Sequence, residues 1–186
     1  MDDAVFIGGP EKRAIVIEAY DPAWAARFEQ VKASLAEALG PRALRIEHFG
    51  STAVPGLGAK GIIDVLVGVE DVDDEAAYGP ALESHGFAIR VRQPGHRMYR
   101  TVELDVHAHV FTDGSEAARI RLLFRDWLRH DDADRRLYED TKRELARQEW
   151  EATNDYSDAK GAVVAEILNR AQRWAASRTL APETPG

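Results

Sequence analysis

The segment His48-Phe49-Gly50-Ser51-Thr52, followed by Asp64, gathers more chemistry-capable residues than any other stretch of the chain. A strand that ends in Gly-Ser lets backbone approach phosphate oxygens closely, because glycine has no side chain and free N–H groups can cradle an anion. Ser51 and Thr52 could add hydroxyl donors and Lys60 a point charge. Gly50, Pro55, Gly56 and Gly58 could equally do no more than shape a tight crossover. Asp64 stands in an apolar run with Ile62, Ile63, Val65, Leu66 and Val67. Burying a carboxylate there is costly unless a cation or donors compensate. A metal ion at the strand end is one compensator, and Lys60 or a backbone N–H is the structural alternative.

A second group lies in Leu104-Asp105-Val106-His107-Ala108-His109-Val110-Phe111. Period-two alternation sets Asp105, His107 and His109 on one face of a strand and the apolar residues on the other. A carboxylate with two imidazoles can gather around a metal or a phosphate, and histidine moves protons near neutral pH. The competing reading is a solvated sheet face that carries histidines. Arg125, between Phe124 and Trp127, matches phosphate through two guanidinium N–H groups. Lys142, Tyr156 and Lys160, on or beside later helices, read as solvated or structural groups.

The elements that must position these groups can be read from periodicity and capping. Trp24, Phe28, Val31, Leu35 and Leu39 recur at helical spacing between Asp21-Pro22 and Gly40-Pro41, a capped amphipathic helix. Strands are predicted over Leu44 to Phe49, Ile62 to Val69, Phe87 to Arg92, Arg97 to Val102 and Leu104 to Phe111. A short helix capped by Asp73 or Asp74 ends near His85-Gly86, and Pro94-Gly95 marks a turn. Three helices follow, over Glu116 to Arg129, Asp134 to Trp150 and Ser157 to Trp174. The order implies an α/β fold of the α+β type, a mixed sheet flanked by helices with a helical C-terminal part. The order is not a simple βαβ alternation and no Gly-Lys-Ser/Thr run is present, which weighs against Rossmann and P-loop nucleotide sites.

At 186 residues the chain suits one domain. We place an N-terminal extension at 1–14, the domain at 15–176 and a disordered tail at 177–186. No apolar run is long enough to span a membrane, and the absence of cysteine excludes disulfides and thiolate metal sites. A cytoplasmic location is therefore expected. Thirty-two acidic against 24 basic residues give a net charge of −8, which argues against a broad nucleic-acid surface while leaving room for one focused positive pocket.

The block His48-Phe49-Gly50-Ser51-Thr52-Ala53-Val54-Pro55-Gly56-Leu57, with Ala59-Lys60 and Ile62-Ile63-Asp64, resembles the signature of the GrpB family. Tyr20-Asp21-Pro22-Ala23-Trp24, His109-Val110, Leu123-Phe124-Arg125-Asp126-Trp127-Leu128, Tyr138, Lys142, Leu145, Tyr156 and Lys160 extend the likeness over roughly Ile15 to Trp174. That family is grouped with the nucleotidyltransferases, and a similar domain is fused to dephospho-CoA kinase in some bacteria. The resemblance implies a Mg²⁺-dependent site acting on a nucleotide and a small-molecule acceptor, with Gly50, Ser51, Thr52, Lys60 and Arg125 on phosphate. Asp64 and Asp105, joined by His107 or His109, would hold metal, and His48, His107 or His109 would move the proton or bind the acceptor. In the superfamily a second carboxylate stands two residues after the first; here that position is Leu66, and Gly61 replaces the proline that usually follows the Ala-Lys pair. The resemblance is therefore also compatible with a non-catalytic module that binds a nucleotide or a CoA-like ligand through a degenerate metal site.

Overall fold

The stripe of the first predicted helix is buried as its spacing requires. In the computed structural model, which describes residues 4–9, 11–103 and 105–179, α1 runs Ala23–Leu39 with Trp24, Phe28, Leu35 and Leu39 buried. The Asp21 carboxylate accepts the Ala23 N–H at 2.8 Å, and Gly40 takes the positive φ of 54° that closes the end. Leu35 and Leu39 are fully enclosed, each contributing roughly 2 kcal/mol by burial.

The strands are β1 (Val5–Phe6), β2 (Arg45–Phe49), β3 (Ile63–Val69), β4 (Phe87–Gln93), β5 (His96–Thr101) and β6 (Val106–Thr112), with α2 (Glu75–Ser84) between β3 and β4. They form one mixed sheet in the order β1-β4-β5-β6-β3-β2. Only the β3–β6 pair is parallel; the other neighbours are antiparallel. The chain thus returns to β3 from the far side, and this crossover sets Asp64 beside His107 and Leu66 beside His109.

The two faces of the sheet differ. Val65, Val67, Val106, Ala108 and Val110 pack with α1 and α2 in the main core. Phe49, Leu66 and Phe111 of the other face meet α3 (Glu116–His130), while Val54 and Leu57 join a second cluster with α3, α4 (Asp132–Ala146) and α6 (Gly161–Thr179).

Four expectations change. The last predicted helix is two, α5 (Thr153–Ala159) and α6, with the break at Lys160-Gly161, where glycine is a poor helix former. The preceding helix ends at Ala146 rather than Trp150, and α6 continues to Thr179, beyond the point where the tail was expected to start. β1, inside the predicted N-terminal extension, adds a short edge strand through Val5 opposite Arg92. Residues 180–186 of the expected tail, and Leu104 at the start of an expected strand, lie outside the described residues. No helix among the described residues is long and apolar enough to cross a membrane.

Candidate functional site

β2 ends with Phe49 directly opposite Asp64 of β3, so the Gly-Ser turn begins where the carboxylate stands. Gly50 has φ 71° and ψ −171°, a conformation open almost only to glycine, and an added Cβ would overlap Asp64 Oδ2 and lie 3.0 Å from Asp64 Cβ. The glycine is required twice over, by its backbone angles and by the closeness of Asp64. Ser51–Ala53 then form one 3-10 turn.

On the same face, His107 Nδ1 and His109 Nε2 each lie 3.5 Å from Asp64 Oδ1. Burial alone would raise the Asp64 carboxyl, but the two imidazoles outweigh it and hold the group well below the usual carboxylate range. Burial also pushes His109 down. His96 stacks on both His109 and Phe111, its Nε2 3.0 Å from His109 Nδ1.

Asp105 does not join this group. It lies just before β6, and its carboxylate is engaged by Arg27 of α1 and by the Thr101 hydroxyl, which donates at 2.7 Å. Strand alternation fails to place it because the strand has not yet begun. Leu66, on the cavity side of β3, is fully buried among Phe49, Phe111 and Ala118, so a carboxylate there would be stranded in an apolar cluster.

His48 faces the opposite side of the sheet. Its ring stacks on Phe28 of α1, with centroids 4.6 Å apart, and its Nε2 lies 3.0 Å from Thr52 Oγ1. Since that hydroxyl donates to the Ile62 carbonyl at 2.9 Å, His48 Nε2 must be the donor. Burial lowers its pKa to about 4, which keeps the ring neutral. Thr52 is likewise occupied inside the loop. Arg125 donates to the His48 carbonyl at 2.8 Å, to Glu47 at 3.0 Å and to Asp126 at 2.7 Å, and so braces the end of β2.

A cavity of about 610 Å³ opens over Ser51, Asp64, His107 and His109, and its opposite wall comes from the helices. Lys142 of α4 donates to Ser51 Oγ at 3.0 Å and to the Gly58 carbonyl. Lys60 and Lys160 approach the Tyr156 ring at 5.4 and 4.6 Å. Among the described residues, none of these three lysines is ion-paired with a carboxylate. Burial lowers Lys142 to about 7, helped by Lys160, and lowers Lys160 to about 8, helped by Lys60; Lys60 also falls by burial. Arg121 of α3 lines the same cavity, its guanidinium 4.6 Å over the Phe111 ring. Lys142 and Lys160 were read from sequence as solvated or structural groups, and Arg121 and His96 were not singled out. The available signal was Tyr138 and Lys142, four residues apart on one helix face, which only the fold turns toward Ser51.

The arrangement can hold a multiply charged anion against a buried carboxylate and two imidazoles. A family model described as GrpB protein matches residues 14–170. A UPF0157 protein of Streptomyces coelicolor is 48% identical over 165 residues, covering 89% of this chain and 88% of that one. A dephospho-CoA kinase of Mycolicibacterium paratuberculosis is 32% identical over 190 residues, which cover 84% of this chain and 46% of the kinase. The crystal structure of the conserved protein GrpB from Enterococcus faecalis superposes with a TM-score of 0.77 at 29% identity, covering 86% of this chain and 99% of that one. The extent of the family match and the fold shared with that crystal structure give one result: the chain belongs to the GrpB family.

Proposed function

We propose that the cavity binds a nucleotide through its phosphates and that the protein is a nucleotidyltransferase-like enzyme acting on a small-molecule acceptor. The observation that carries this reading is that Lys60, Lys142 and Lys160, none ion-paired with a carboxylate among the described residues, line one cavity with Gly50, Ser51 and Asp64. Nearby carboxylates, Asp64 for Lys60 and Lys160 and Glu139 for Lys142, offset the burial of these lysines only in part, so an anionic ligand would supply the missing charge. Ser51 and the lysines would bind and orient the phosphates. Phe49 and Phe124 would shield the reacting end from water, since both line the cavity. A divalent cation at Asp64, His107 and His109 would neutralise charge developing on the transferred phosphoryl group. The Mg²⁺ implied by the family resemblance would find one protein carboxylate here, Asp64, beside the two imidazoles.

The second reading, a binding module without turnover, is favoured by the apolar enclosure of Leu66, which removes the usual second carboxylate. One experiment addresses both. Purified protein is titrated with each nucleoside triphosphate, with and without divalent metal, and pyrophosphate release is followed. We expect binding that Lys142→Met weakens at least tenfold, the loss of about one charged hydrogen bond. Metal-dependent pyrophosphate release lost in Asp64→Asn identifies the enzyme; binding indifferent to metal and to that change identifies the module. Absence of binding by any nucleotide overturns the enzyme, and absence of binding by coenzyme A as well overturns the module.

A further inference from the structure

The donor set around Asp64 is unlike that of a magnesium centre. Asp64, His107 and His109 each offer one ligand atom, all within 4.8 Å of one another, and two of the three are imidazole nitrogens. Mg²⁺ is a hard cation that takes oxygen ligands and dehydrates reluctantly, whereas imidazole suits Zn²⁺, Co²⁺, Fe²⁺ and their neighbours. Leu66 confirms the bias, because the place where a second oxygen ligand would stand is closed by an apolar cluster.

Distances point the same way. The His107 Nδ1 and His109 Nε2 separations from Asp64 Oδ1, both 3.5 Å, are too long for good hydrogen bonds. They match the spacing of donors around a tetrahedral ion, where bonds of about 2.1 Å place ligand atoms about 3.4 Å apart. For His109 an outer partner is also present, whereas His107 Nε2 is buried without one among the described residues. His109 turns Nε2 to the cluster and Nδ1 to His96 Nε2, 3.0 Å away, which is the outer partner that fixes the orientation and tautomer of a metal-bound imidazole. The His96 ring is held in turn by stacking on Phe111, with centroids 4.7 Å apart.

We propose that the resident metal of this site is a borderline first-row transition dication of the Zn²⁺ or Co²⁺ type, held by Asp64, His107 and His109, with His96 as the residue that positions His109. The proposal rests on the reading of this cluster as a metal site and is independent of whether a nucleotide binds.

The test uses the full chain, stripped with a chelator and free of nucleotide. Co²⁺ is titrated while visible d–d absorption is recorded, and Zn²⁺ and Mg²⁺ are then added in competition. One equivalent of Co²⁺ should bind with d–d bands that report nitrogen ligation. Equimolar Zn²⁺ should displace it, and a hundredfold excess of Mg²⁺ should not. His109→Ala should weaken binding by at least tenfold, and His96→Ala by roughly 10- to 100-fold, the range for lost outer partners. Displacement of Co²⁺ by equimolar Mg²⁺, or no Co²⁺ uptake by the wild-type chain, overturns the proposal without any variant. Co²⁺ affinity unchanged in a folded His109→Ala protein overturns it as well. Co²⁺ uptake with no nucleotide binding leaves this proposal standing and removes the nucleotide reading; nucleotide binding with Mg²⁺ and no Co²⁺ uptake does the reverse.

Discussion

Asp134 and Lys142 lie two turns apart on α4, only 6% and 3% exposed, yet their surroundings follow opposite rules. Asp134 accepts the Trp127 indole N–H at 2.6 Å and two guanidinium N–H groups of Arg170, both at 2.7 Å, so one carboxylate ties α3 and α6 to α4. Burial would raise its pKa, but Arg170 and then Trp127 more than reverse this. Lys142 has only neutral oxygens as direct acceptors, Ser51 Oγ and the Gly58 carbonyl, and of its charged neighbours Lys160, Arg143 and Lys60 oppose its charge while Glu139 alone favours it. A matched buried charge holds the fold, whereas an unmatched one is retained at a cost in stability. That cost is what marks the cavity as the functional region.

Breaking the matched site should produce the largest effect. Asp134→Ala leaves Arg170 and the Trp127 N–H without their acceptor and should destabilise by about 3 kcal/mol. Urea denaturation measures this as a lower midpoint with an unchanged slope. Ligand affinity, measured well below the unfolding transition, should stay at the wild-type level, since Asp134 does not line the cavity. A loss below about 1 kcal/mol would mean that the contrast along α4 is not energetic.

The same change at the unmatched site should act in reverse. Lys142→Met keeps the apolar stem and removes a charge whose pKa is depressed from 10.5 to about 7. A lysine depressed on folding destabilises fully below about pH 7, and the penalty fades as pH rises toward 10.5, because the unfolded chain binds the extra proton throughout that window. The variant should therefore gain about 1 kcal/mol below pH 7 after its lost hydrogen bonds are counted, with the gain shrinking at higher pH. Sulfate, whose charge is constant across this range, is a suitable probe of the pocket. Its affinity for the wild type should fall between pH 6 and 9 as Lys142 and then Lys160 lose their protons, and the fall should be smaller in Lys142→Met.

Much of the fold and part of the site were legible in the sequence, for reasons that differ by residue, whereas the contrast along α4 was not. The α1 stripe and the β4–β5 turn rest on local periodicity and turn chemistry, and both stand where the pattern places them. Asp64, His107 and His109 come together because period-two alternation holds within each strand and the parallel register aligns the two strands. Asp105 and His48 show where such reasoning stops. Alternation does not extend to a residue outside the strand, and the partner of a lone histidine on β2 depends on which helix covers its face. Lys142 and Lys160 reach Ser51 and Lys60 across about 90 and 100 residues of chain, a distance over which no local pattern speaks. Their burial, which distinguishes them from solvated lysines, is a property of the packed helices alone.

The smallest effect comes from a matched pair that water already screens. Arg45 Nε donates to Asp113 Oδ1 at 2.7 Å, a better distance than many buried contacts, yet the two side chains are 43% and 27% exposed. Two charges in that setting attract each other through a high dielectric, and ordering the long arginine opposes the gain. Arg45→Ala should change stability by less than about 0.5 kcal/mol, and 0.5 M salt should erase even that difference. Measured beside Asp134→Ala, it separates matching from burial: both variants remove one partner of an Arg–Asp pair at similar distance, and only the enclosed pair should respond. An Arg45→Ala loss as large as that of Asp134→Ala would show that charge matching stabilises regardless of depth, and the unmatched lysines of the cavity would then lose their significance as a mark of function.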